Sequence, residues 1–70
     1  MTEITAAERA FIDLIRHDSL TINTVIGYTR YHGKALRDRA TADYERTDAD
    51  RLLKFAAALE AAANDWRAHL

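Results

Sequence analysis

The sequence predicts an all-α domain of three helices or, if the middle of the chain stays unbroken, a helical hairpin with an N-terminal helical arm. Three observations lead there. Proline is absent and glycine occurs only twice in 70 residues, so little interrupts a helix. Alanine, leucine and arginine recur throughout, and all three favour helix. The β-branched run from Thr21 to Ile26 has no second run to pair with, which argues against a sheet. At this length residues 1–70 form one domain.

The first helix is expected to begin at Thr5. Thr5 and Glu8 stand three apart, the spacing of a capping box in which each side chain accepts the other's free backbone N–H. Ile4, Ala7, Phe11, Leu14 and Ile15 follow at helical spacing and predict one apolar face. The helix should fade between His17 and Ser19, with Ser19 in a capping position. His17, when protonated, suits the negative end of the helix dipole.

The middle of the chain supports two readings. In one, a single helix runs from about Leu20 to Tyr44. Its seam is Ile22, Ile26, Thr29, Gly33, Leu36 and Ala40, and each interior glycine costs about 1 kcal/mol relative to alanine. In the other, the chain breaks at Gly27, and residues 19–38 resemble a helix-turn-helix unit. The resemblance implies that Ile22 and Ile26 pack the first helix and that Gly27 takes the positive φ of the turn. Tyr28 then fills the apolar turn position. Leu36 anchors a second helix that offers Arg30, Tyr31, Lys34 and Arg37 to phosphates and base edges. Asn23 and Gly33 depart from the pattern, standing where a small apolar residue and an aliphatic residue are usual.

The polar segment Asp43 to Asp50 is the expected loop. A third helix should follow from a cap at Thr47, with Asp48 and Asp50 in its first turn. Leu52, Phe55, Ala56, Leu59, Ala62, Ala63, Trp66 and Leu70 recur in steps of three and four. Positions 52, 56, 59, 63, 66 and 70 fit a heptad, and Leu53 lies outside the stripe. The first and third helices are expected to clamp the middle one. A chain this short buries only about 60% of its unfolded surface. With no cysteine for disulfides, a partner subunit is the remaining stabiliser. A homodimer is therefore expected, with Leu52, Phe55, Leu59, Ala63 and Trp66 as its dimer or core seam.

Charge singles out residues 28–40. Tyr28, Arg30, Tyr31, His32, Lys34, Arg37 and Arg39 are opposed there only by Asp38, a net +3, while residues 1–27 and 41–70 each carry −2. Tyrosine and arginine are enriched at interface hot spots. Tyr28, Arg30, Tyr31, His32, Lys34 and Arg37 are thus the candidate surface for a protein or DNA partner. The bland alternative is a solvated helix face, with Arg39–Asp43 and Asp50–Lys54 forming i,i+4 pairs. The expected function is a small non-catalytic regulator or inhibitor that binds a protein, by analogy with small helical proteins of phage and mobile elements. A helix-turn-helix DNA-binding regulator is the alternative.

Catalysis has little to work with. There is no cysteine nucleophile, no glycine-rich phosphate loop and no H-E-x-x-H, and a three-helix chain leaves little room for the usual ligand pocket. No enzyme activity, cofactor or small-molecule substrate is expected. The pairs Asp13/His17 and Asp65/His69 each share a helix face, where ion pairing or capping outranks a metal site. No apolar stretch is long enough for a membrane span and the start is not basic, so no membrane association and a cytoplasmic location are expected.

Overall fold

The computed structural model describes residues 4–69. The chain folds into three helices: α1 (Ala6–Ile15), α2 (Ser19–Arg39) and α3 (Asp43–Ala68). Leu70, the last member of the predicted heptad, lies outside the described residues. No helix among those described is long and apolar enough to cross a membrane.

The capping box at the start of α1 is formed. Thr5 N–H donates to Glu8 Oε1 at 2.8 Å, and Glu8 N–H donates to Thr5 Oγ1 at 3.1 Å. The buried face of α1 is only partly the expected one: Ile15 and Ile4 pack as expected. Ile12 and Ile15 are buried, Ala7 is exposed, and Leu14 is 78% exposed. Two apolar stripes overlap on this helix, and its contact with α2 and α3 selects the stripe through Ile12.

The middle segment does not break. α2 runs through Gly27 without interruption, and no described residue takes a positive φ. The turn that a helix-turn-helix requires is therefore missing, and residues 19–38 form one helical rod. Its apolar stripe explains this: Ile22, Ile26 and Gly33 are buried along one line, so a bend at Gly27 would lift half of the stripe off its partner. The cap is Asp18 and not Ser19, which is the first helical residue. Asp18 Oδ1 accepts Thr21 N–H at 3.1 Å, and Oδ2 accepts the Thr21 hydroxyl at 2.7 Å.

α3 begins earlier than expected. Asp43 to Asp50 is helix, not loop, and only residues 40–42 connect α2 to α3. Thr47 is no cap; it lies inside the helix and its hydroxyl donates to the Asp43 carbonyl at 3.1 Å. Glu45 does the capping by reaching back: Thr41 N–H and Ala42 N–H each donate to its Oε1 at 3.2 Å. Asp43 and Glu45 also favour the positive end of the helix dipole. Ala49, fully buried, fixes this first stretch against its neighbours. Of the expected i,i+4 pairs around the loop, neither is present among the described residues; Asp43 pairs with Arg46 at 2.8 Å.

The short link makes α2 and α3 an antiparallel hairpin, and this is the principal interface. Gly33 lets the helices approach, because a Cβ there would meet Leu53 Cδ2 at 2.9 Å and Leu52 Cβ at 3.3 Å. α1 packs alongside the open half of the hairpin and contacts both α2 and α3, which makes a three-helix domain. Arg16 reaches Asp65 at 3.0 Å and Arg51 reaches Glu8 at 3.4 Å, so α1 runs parallel to α3. Ile12, Ile15, Ile22, Ile26, Leu59, Ala62 and Ala63 form the core where the three helices meet. Each fully buried isoleucine or leucine there contributes roughly 1.5–3 kcal/mol.

Candidate functional site

Each candidate partner-binding residue lies on α2, and the helix sets their directions. At 3.6 residues per turn, Tyr31 points away from α3. Tyr28 and His32 fall on one flank, and Lys34, Arg30 and Arg37 on the other. The set wraps more than half of the helix and is not a single stripe. Tyr28 is 65% exposed and Tyr31 is 69% exposed.

The three aromatic rings of this set gather. Tyr28 and His32 stack with centroids 5.8 Å apart and planes 13° apart, and Tyr31 meets the edge of His32 at 5.4 Å and 81°. The i,i+4 spacing of Tyr28 and His32 brings about the first contact. The result is a small aromatic platform held open to solvent by an otherwise polar helix.

The cations behave differently from one another. Arg30 is drawn back to Glu60 on α3, which neutralises it and holds its side chain along the hairpin. Lys34, Arg37 and Arg39 form no ion pair among the described residues. The free positive charge therefore collects at the loop end of α2, beside the rings. Arg37 also borders a shallow hollow of about 280 Å³ shared with Arg46, Thr47 and Asp50.

The predicted dimer or core seam is divided by the fold. Leu59 and Ala63 are buried inside the single chain, while Leu52, Phe55 and Trp66 are half-buried. Phe55 packs on Phe11 with centroids 6.2 Å apart, and Trp66 and His17 form a T-shaped pair with centroids 4.5 Å apart. Asp13 pairs with Arg16 at 3.5 Å, and among the described residues it forms no ion pair with His17. His69 lies 3.8 Å from Asp65. Among the described residues no three His, Cys, Asp or Glu side chains converge as a metal site would require.

Sequence reasoning overlooked part of the outer face. Leu20, Thr24, Gly27 and Tyr31 follow steps of four, three and four, a second seam opposite the buried one. Leu20 is 80% exposed, and a Cβ added at Gly27 would meet nothing within 4 Å. The spacing is regular, but Thr24 and Gly27 carry no apolar signal, so the four positions do not read as a stripe. Asn23, which departs from the helix-turn-helix pattern, accepts a hydrogen bond from Arg67 Nη2 at 2.8 Å and so ties α2 to α3.

Comparison with protein families, with curated proteins and with solved structures finds no match to this chain.

Proposed function

We propose that the chain is a small non-catalytic regulator or inhibitor that binds a protein partner through the outer face of α2. The observation that carries this reading is the exposed cluster of Tyr28, Tyr31 and His32 beside Lys34 and Arg37, which form no ion pair among the described residues. Tyrosine offers a large contact area at a small cost in side-chain entropy. Rings that already rest on one another lose less freedom on binding. Lys34 and Arg37 would steer an acidic partner toward the rings and set the salt dependence of its approach. Arg30, held by Glu60, would frame the contact.

Capture from extracts of the native host tests the proposal, using the wild-type chain, Tyr31→Ala, Tyr28→Ala and the exposed control Leu14→Ala. A partner protein should be retained by the wild type and the control. Either tyrosine variant should weaken it by roughly tenfold or more, a hot-spot effect; Lys34→Ala should cost less. Retention unaffected by both tyrosine substitutions would overturn the assignment. Duplex DNA is the competing ligand for the same cations. Retardation of random duplex that collapses as salt rises, with a salt slope reduced by Lys34→Ala, would replace a protein partner with DNA.

A further inference from the structure

α1 spans 10 residues and α3 spans 26, so α1 leaves the loop end of the hairpin bare on its own side. A trough of about 400 Å³ lies there, lined by Glu8, Leu36, Asp48, Arg51, Leu52 and Phe55. Its floor is Leu36, Leu52 and Phe55, all half-buried. Two aromatic side chains stand beside it. Phe11 packs on Phe55 yet stays 40% exposed. Tyr44 falls on the same side of α3, by the steps 44, 48, 51, 55, and is 71% exposed.

We propose that a second copy of this chain covers the trough, forming a two-fold dimer that leaves the outer face of α2 free. A two-fold interface uses the same patch twice, so the patch must carry both a projection and a recess. Here Tyr44 and Phe11 are the projections and the trough is the recess. The charges agree. Arg51 is held by Glu8 of its own chain only at 3.4 Å, and Asp48 forms no ion pair among the described residues, so Asp48 of one copy can meet Arg51 of the other. The charges of α2 that form no ion pair among the described residues are mainly cations, Lys34, Arg37 and Arg39 against Asp38, so two such helices set face to face would repel.

Size and shape point the same way. The molecule measures 43 × 22 × 17 Å, and its broad side has room for the roughly 800 Å² per partner of a stable interface. Its radius of gyration of 12.7 Å exceeds the about 11 Å expected of a compact chain of this length. Its surface of 4944 Å² exceeds the about 4,400 Å² typical of a monomer of this mass. Leu59 and Ala63 are used up within the chain, so self-association falls to the trough and not to the heptad centred on those residues.

Sedimentation equilibrium across micromolar to millimolar concentrations is the test, with helicity and Tm recorded for each variant. The wild type should be a dimer. Tyr44→Ala, which removes an exposed side chain and leaves the core alone, should weaken dimerisation at least tenfold, and Arg51→Glu should do likewise. Tyr31→Ala should leave it unchanged. A wild type that remains monomeric at millimolar concentration overturns the proposal. So does a dimer that survives both trough substitutions, or one that Tyr31→Ala dissociates.

Discussion

The two faces of α2 can be compared through their glycines. Gly33 faces α3, where a Cβ would come within 2.9 Å of Leu53 Cδ2 and 3.3 Å of Leu52 Cβ; at Gly27, six residues earlier, a Cβ would meet nothing within 4 Å. Each glycine costs a helix interior about 1 kcal/mol relative to alanine. At Gly33 the close approach of two helices offsets that cost. At Gly27 no contact among the described residues does. The inner face is thus constrained by shape, whereas the outer face, with Leu20, Tyr28 and Tyr31 turned to solvent, is free of constraints imposed by folding.

The largest test of this contrast is a pair of truncations. Ile22 is 1% exposed, so Ile22→Ala should cost about 3 kcal/mol from lost burial and the cavity left behind. Leu20→Ala, on the outer face, should change stability by less than about 0.5 kcal/mol. Urea unfolding followed by circular dichroism gives both values. Equal losses would mean that the outer face is packed after all.

A finer test exchanges the glycines themselves. Gly33→Ala forces Leu53 to move and presses on the Leu52 Cβ. Overpacking of that kind costs about 1–3 kcal/mol, against a helix-propensity gain of about 1 kcal/mol, so a net destabilisation near 1 kcal/mol is expected. Gly27→Ala meets open space and should stabilise by about 0.5–1 kcal/mol. The two substitutions are chemically identical and should move Tm in opposite directions. A stabilising Gly33→Ala would show that the α2–α3 contact has room to spare.

How far these faces could be read from the sequence depends on how local their causes are. The capping box of Thr5 and Glu8 was legible because the residues that form it are three apart. The early start of α3 was not. Among Asp43 to Asp50 only Ala49 turns inward, and one alanine gives no periodic signal against seven polar or exposed neighbours. Whether α2 bends at Gly27 was equally illegible, since the decision lies in the stripe of Ile22, Ile26 and Gly33 lying on another helix. The candidate site was visible as an anomaly of charge and tyrosine content. The diversion of Arg30 to Glu60, thirty residues away, was beyond any local pattern, as was the contact between the rings.

The smallest expected effect concerns the helix ends, which the two faces share. Three carboxylates are held below their ordinary pKa. For Glu8 the main cause is the Thr5 backbone N–H, supported by the Thr5 hydroxyl and by Arg51. For Asp18 it is the Thr21 hydroxyl and then the Thr21 N–H. For Glu45 it is the N–H groups of Thr41 and Ala42. A carboxylate whose pKa is lower folded than unfolded stabilises fully above its unfolded value of about 4. That stabilisation fades as pH falls through the folded value. Cooling of Tm should therefore begin below about pH 4–5, and Asp18→Asn should flatten part of the acid limb. Because all three groups cap helices and none touches the α2–α3 seam, amide exchange at low pH should quicken first in the opening turns of α1, α2 and α3. Protection near Ile22 and Ile26 should persist until global unfolding. Simultaneous loss of protection at the ends and along the seam would show that the caps and the inner face form one cooperative unit.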